Sequence, residues 1–492
     1  MSTRRFPLRL GVIAVAAALA ACSTTAPYQA PTVEIPAHYA GQPDSNASNA
    51  SNASNPAWQV ASPADAAPRG AWWTVFGDTE LNTLEARIDV SNQSVRKALA
   101  NLAEARATTD YQRAGFLPTI TAGVAQDRYR TSANKQGSSL AGKTVPDYSM
   151  GVTATWEPDV FGRIRDEVTS ANATAQASAA DLEAVRLAMT AQLAVDYFNL
   201  RSLDAQKQLL DDSVSVYTRA LAIVQDQLRN GAIDASAVAQ AQTQLESTRT
   251  QARDIDVSRA QLQHAIATLI GEPASIFSLP PVPDAQAAQA GFKLPAIPAG
   301  LPSQLIERRP DIAAAERRVA AANAQIGAAH AAFFPNLVLS ATAGLESSMF
   351  APWLSAPSLF WSLGPQLVGT IFDGGKRSAT LHAASAHYDG TVADYRQTVL
   401  TAFEQVEDNL SALQALADES ATQQRAAQAA QQALQLTTNR FNAGALSYLD
   451  VVTSQTIALT NQRDAVVIEG RRMTACVRLI EALGGTWNNN AG

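Results

Sequence analysis

Arg229-Asn230-Gly231-Ala232 recurs as Asn442-Ala443-Gly444-Ala445, 213 positions further along the chain. In each copy a long proline-free run ends at the glycine, and a second helical run starts just beyond it. Glycine supplies the left-handed backbone that a helix C-terminus commonly needs, so each stretch reads as the turn of a helical hairpin. Outward from the turns, the same interval links Gly162-Arg163 to Gly375-Lys376, Gln242-Thr243 to Gln455-Thr456, and Gly271 to Gly484. Phe116-Leu117-Pro118 and Phe333-Phe334-Pro335 lie 217 positions apart. A repeat this long is no solenoid unit. It predicts two large, similar halves folded side by side.

The run over 163–229 carries Val214, Tyr217, Leu221, Val224 and Leu228; its counterpart over 376–442 carries Val399, Phe403, Val406, Leu410 and Leu413. Alternating steps of three and four are the coiled-coil period. At 1.5 Å per residue each run extends about 100 Å, too long for the inside of a compact domain. Shorter helical runs follow the turns, over 234–270 and 447–483, and others precede the Phe-X-Pro words, over 89–115 and 310–333. Asp311 and Glu316 near the start of the last suit a helix N-terminus. The two shorter runs of a half sum to roughly 95 Å, so each half pairs one continuous column with one built from two stacked pieces.

Between Pro118 and Gly162, and between Pro335 and Gly375, the helical period stops. Met150, Val152, Ala154 and Trp156 alternate with Gly151, Thr153 and Thr155; Leu337, Leu339, Ala341, Ala343 and Leu345 alternate with Val338, Ser340, Thr342 and Gly344. Period two is the strand signature, and the segments 119–160 and 336–372 each have room for two strands around a loop. About ten residues is the length a tilted strand needs to cross a bilayer. Tyr129, Tyr148, Trp156, Phe350, Trp353, Phe360 and Trp361 gather here as an interfacial girdle would. Four strands cannot close a barrel, and open edges do not survive in lipid. Spanning strands therefore demand a closed cyclic oligomer, dimer or trimer; a soluble hairpin domain is the reading that alternation alone leaves standing.

The chain is 47% hydrophobic but only 6% aromatic, which suits helices touching along narrow seams better than a thick core. Its net charge of −7 argues against a nucleic-acid partner. Arg4, Arg5 and Arg9 precede the apolar run Leu10 to Ala21, which meets Cys22: a secretory leader too short to be a spanning helix. Leu19-Ala20-Ala21-Cys22 resembles the bacterial lipobox, with Cys22 as the lipid-carrying residue, and Ser23 after it implies the outer membrane. Cys476 is then the one remaining thiol, read as a small apolar residue on a helix seam. The plan is a leader over 1–21, a low-complexity tether over 22–69, a first repeat over 70–273, a linker over 274–300 (which the family resemblance below places in an equatorial region), a second repeat over 301–485 and a tail over 486–492.

Glu307-Arg308-Arg309-Pro310-Asp311-Ile312, the following Ala- and Arg-rich words as far as Phe333-Phe334-Pro335, Trp73 to Leu81, Trp156 to Arg163 and Ile371-Phe372-Asp373-Gly374-Gly375 together resemble the outer-membrane factors. These are the TolC/NodT-type exit ducts of tripartite efflux systems, and the likeness runs from about residue 65 to Gly485. It implies a mixed α and β membrane protein. In it a homotrimer, with four strands per protomer, forms a 12-stranded outer-membrane β-barrel. A long periplasmic α-helical coiled-coil barrel with an equatorial domain continues it. Implied partners are a periplasmic adaptor (membrane fusion) protein, an inner-membrane pump of the resistance-nodulation-division class and outer-membrane lipid. The implied function is passive conduction of small toxic compounds such as drugs. A duct for type I protein secretion is the alternative, and a non-conducting envelope spacer would share the helices but lack lipid-facing strands.

Enzyme patterns fail on inspection. Gly374-Gly375-Lys376-Arg377 lacks the first Gly and the Ser/Thr of a phosphate loop, and His382 and His387 stand five apart, off the i,i+4 face of a helical metal pair. No catalytic residue, cofactor or metal is expected. In the resembled family the stretch after the second turn lines the closed periplasmic tip. The resemblance makes Leu449, Asp450 and Thr453 gate or pore positions, Thr453 standing where an Asp is common, and makes the turns at Gly231 and Gly444 points of adaptor contact. Asp450 reads equally as a helix N-terminal acid favoured by the dipole.

Overall fold

The computed structural model describes residues 28–33, 36, 39, 70–134, 137, 139–281, 294–295 and 308–485. The leader, Cys22, most of the tether, most of the linker with Glu307, and the tail lie outside them. A short 3-10 helix, Trp72–Phe76, leads into α1 (Thr79–Ser91) and α2 (Gln93–Ala114). There follow β1 (Thr119–Arg130), β2 (Thr144–Trp156), α3 (Arg163–Arg229) and α4 (Ala235–Leu269). The second half supplies α5 (Pro310–Ala331), β3 (Asn336–Ser347), β4 (Leu359–Val368), α6 (Lys376–Asn442) and α7 (Tyr448–Ala482). Among the described residues no helix is long and apolar enough to cross a membrane.

The chain forms two compact units, and their division does not follow the repeats. One holds Leu102–Ser178 and Ala315–Tyr395 with the described residues up to Pro31; the other holds Ala179–Ala314 and Arg396–Gly492 with Thr32–Asn101. The first contains the sheet. Its strands pair antiparallel in the order β1-β2-β3-β4, so among the described residues both β1 and β4 are open edges. Register puts Ile120, Val124, Met150, Val152, Leu363 and Trp361 on one face, and Thr121, Ser149, Thr153, Thr342 and Ser362 on the other. The apolar face is open: Trp361 is 74% exposed and Leu363 75%. Large side chains left bare on one whole sheet face call for lipid.

In the second unit the seam is made as the period demands. Tyr217 and Val224 of α3, Leu245 and Ala241 of α4, and Val451 and Leu459 of α7 are buried against one another. Val399 and Val406 of α6 are fully buried as well. Cys476 is buried, and desolvation pushes its thiol up to about 12, so it is an inert part of the seam.

Two expectations need correction. The run read as one helix over 89–115 is two helices broken at Asn92, whose backbone is extended. Its Oδ1 accepts from the N–H groups of Ser94 and Val95 at 2.8 and 3.0 Å, so the side chain caps α2 instead of continuing α1. Second, the stretch taken as a plain tether is seated where it is described. Tyr39 and Val33 are buried, and Tyr28 Oη donates to Glu316 Oε1 at 2.6 Å.

Glu85 on α1 is buried, and among the described residues neither carboxylate oxygen has a hydrogen-bond partner; desolvation holds its carboxyl well above the ordinary 4.5. The unfolded chain ionises this group above 4.5, whereas the folded chain resists doing so. Its contribution to stability is therefore fully present below 4.5 and is lost as pH rises towards the folded value. Glu85→Gln, neutral throughout, should raise the apparent melting temperature at pH 8 by more than at pH 4.5. Equal shifts at both pH values would show that the buried acid carries no such penalty.

Candidate functional site

The helix ends at the two turns have the same geometry. Gly231 (φ +73°) donates to the Leu228 carbonyl at 3.0 Å and Ala232 to Gln227 at 2.9 Å; Gly444 (φ +76°) donates to Phe441 at 2.8 Å and Ala445 to Arg440 at 2.9 Å. This double closure satisfies the last carbonyls of α3 and α6 and requires a left-handed residue at each glycine. The outgoing helices start differently. Asp234 caps α4 itself, accepting from the N–H groups of Ser236 at 2.7 Å and Ala237 at 3.3 Å. Ser447 stands at the corresponding place before α7, and Asp450 reaches back, its Oδ2 accepting from the Ser447 N–H at 3.0 Å and Oγ–H at 2.8 Å.

These contacts sort the residues of the second turn by face. Tyr448 and Val451 point inward onto Val224, Ala237 and Ala241, and the Tyr448 ring meets Phe441 edge-on at 5.4 Å. Leu449, Asp450 and Thr453 lie on the exposed side, Leu449 being 54% exposed. Thr453 Oγ1 donates to the Leu449 carbonyl at 2.9 Å, closing one turn between them. Ile457, not singled out from sequence, continues the same exposed stripe at i+8 from Leu449. The i, i+4, i+8 spacing of Leu449, Thr453 and Ile457 was the available signal. Asp450 thus has a definite local role as part of a cap, and its charge remains on the exposed face.

The signature words do structural work at the helix junctions. Asn92 Nδ2 donates to the Leu269 carbonyl at 2.7 Å, the last residue of α4. At the position equivalent by the repeat, Arg309 donates to the Ala482 carbonyl at 3.2 Å, the last residue of α7. Arg309 also forks onto Asp311, through Nε at 3.0 Å and Nη2 at 2.7 Å, and reaches Gln405 Oε1 at 2.8 Å. A side chain at Gly271 would strike the Ser91 carbonyl, and one at Gly484 would crowd the Arg308 carbonyl, the same close approach twice. Asp78 caps α1 through Leu81 N–H at 3.0 Å while accepting from Tyr197 Oη at 2.6 Å, and Trp72 Nε1 donates to Thr190 Oγ1 at 3.2 Å. Asp159 accepts from the N–H groups of Ile164 and Arg165, and Asp373 from those of Gly375 and Arg377. Each carboxylate covers free N–H groups where a strand hands over to a long helix.

Among the described residues no group of three or more His, Cys, Asp or Glu is placed to hold a metal ion. What the protomer offers is a surface: a sheet with one polar and one apolar face, and paired helical hairpins with an exposed stripe behind each turn.

The family described as outer membrane efflux protein matches residues 86–272 and 301–485, one span in each repeat. The chain is 30% identical over 482 residues to the cation efflux system protein CusC of Escherichia coli O6:H1, covering 98% of this chain and 99% of that one. It is 31% identical over 488 residues to the antibiotic efflux pump outer membrane protein ArpC of Pseudomonas putida, covering 98% and 96% respectively. The solved structure of the outer-membrane channel OprN superposes with a TM-score of 0.82 at 26% identity, over 94% of this chain and 99% of that one. A family match in both repeats, relatives that align from end to end and the shared protomer architecture agree: this chain belongs to the outer membrane efflux protein family.

Proposed function

We propose that three copies of this chain close a 12-stranded barrel in the outer membrane and form the passive exit duct of a tripartite efflux pump, discharging small toxic compounds. One observation carries this reading: a four-stranded sheet with a bare apolar face and two unpaired edges, attached to duplicated helices of 67 residues. Unpaired edges are untenable in lipid, and four strands are half the number of the smallest barrels, so closure needs further copies. Relatives named for cation efflux and for antibiotic efflux support export of small solutes over secretion of protein. The exposed turns at Gly231 and Gly444 are the contact points for a periplasmic adaptor, which links the duct to an inner-membrane pump of the resistance-nodulation-division class. Leu449 forms the narrowest ring, Asp450 sets its charge and Thr453 lies one turn behind.

Reconstituted into planar bilayers, the purified protein should give discrete single-channel steps, and native mass spectrometry in detergent should show three chains. A stable monomer that keeps its strand signal, or a bilayer without steps, would refute the duct. Cys22 carries the lipid anchor, on the order basic, apolar, cysteine at the N-terminus. Cys22→Ser should abolish palmitate labelling; labelling that survives removes the anchor from this position.

A further inference from the structure

At the base of the sheet, β2 hands over to α3 through Phe161, and α5 hands over to β3 through Phe334. The two rings stack, with centroids 4.9 Å apart and planes at 13°. This contact seals the place where the two repeats meet inside one chain, because β2 and β3 are paired neighbours. The repeat supplies one half of the contact a second time, and the chain sets another apolar pair near the place of the other. Phe116-Leu117 precedes β1 as Phe333-Phe334 precedes β3; Gly374 holds the place of Phe161 in the 213-residue register, but Ile371-Phe372 stands just before it, between β4 and α6. Here the halves cannot meet, since β1 and β4 are opposite edges of the sheet. They are left bare: Ile371 is 99% exposed, Phe372 87% and Leu117 68%.

Both halves are nonetheless held in place. The Phe116 carbonyl accepts from Trp156 Nε1 at 2.9 Å. Just past Phe372, Asp373 is fixed by the Arg377 N–H at 3.1 Å and Nε at 2.7 Å, and by the Gly375 N–H at 3.0 Å. Exposed apolar side chains just past the end of one edge strand and just before the start of the other ask for a partner bearing the complementary half. A second copy of this chain bears it. If β4 of one copy pairs antiparallel with β1 of the next, as β2 does with β3, the last residues of β4 lie beside the first residues of β1.

We propose that Ile371 and Phe372 of one protomer clasp Phe116 and Leu117 of the next, an apolar contact that locks each barrel seam at its base as Phe161 and Phe334 lock the junction of β2 and β3 within the chain. The clasp rests on the reading that copies close a barrel, so its test must separate the two. Phe372→Cys combined with Leu117→Cys is a mild change at exposed sites, and the buried Cys476 is silent towards thiol reagents. A short bis-maleimide applied to membranes should give covalent dimers and trimers in the double variant and none in either single variant. Ile371→Asp with Phe372→Asp should lose the SDS-resistant assembled band expected of the unaltered protein. A wild type that runs as a monomer in native mass spectrometry overturns barrel and clasp together. A trimeric wild type whose double-cysteine variant does not cross-link, and whose Asp variant keeps the resistant band, overturns the clasp alone and makes these residues lipid-interface anchors.

Discussion

Leu449→Ala should enlarge the single-channel conductance several-fold and let large antibiotics such as vancomycin leak inward through cells that carry the variant duct. The reason is geometric. Leu449 is one residue into α7, more than half exposed, on the side away from the cluster of Val224, Ala237 and Ala241. Under the proposed reading, three such side chains around an axis would make an apolar constriction that gates by excluding water. Because the leucine lies outside the core, its loss should change stability by no more than about 0.5 kcal/mol. Val451→Ala, two residues away and buried, is the control: it should cost about 1–3 kcal/mol and leave the conductance of assembled channels unchanged. Asp450→Asn retains an acceptor for Ser447 while removing the charge, and so should weaken divalent-cation block from the periplasmic side without uncapping the helix. If Leu449→Ala conducts like wild type, the constriction lies elsewhere and Asp450 is only a cap.

Arg309→Ala should destabilise the second repeat strongly. The guanidinium is buried and serves three partners at once, Asp311, Gln405 and the Ala482 carbonyl. Removing one member of a fully buried pair costs about 3–5 kcal/mol, and the partial exposure of Asp311 brings the expectation down to about 2–3 kcal/mol. The measurable result is a lower apparent melting temperature and a reduced yield of assembled protein. Arg309→Lys should recover only part of the loss, since an ammonium cannot fork onto Asp311 and still reach the end of α7. Asn92→Ala removes the equivalent brace in the first repeat and should cost less, about 1–3 kcal/mol, because no charge is stranded. Equal effects of Arg309→Ala and an exposed control such as Arg253→Ala would dismiss the clamp.

Much of the architecture was legible before any coordinates. The glycine words mark the ends of α3 and α6 because a left-handed residue after a helix is a local demand that almost only glycine meets at no cost. The strands announce themselves by period two and the long helices by steps of three and four, both consequences of where a Cβ points. The Asn92 break is hidden in the sequence because Asn is tolerable within a helix, and it becomes a cap only when the end of α4 arrives to take its Nδ2–H. The same holds for Arg309: nothing local says that a charged residue before Pro310 will be buried against Ala482, 173 positions away. Near the second turn, sequence marks Tyr448, Leu449, Asp450, Val451 and Thr453 as a helix start but not which of them faces in. That choice belongs to Val224 and Ala241, which lie on other helices and occupy one side of α7. Helix ends marked by glycine and strand alternation are properties of neighbouring residues, and the duplication is a match between two stretches of sequence, so all three are written along the chain. Which stripe is buried, which signature residue braces a helix end and which aromatic pair is left unfinished depend on partners far away in sequence, and only the tertiary structure brings those together.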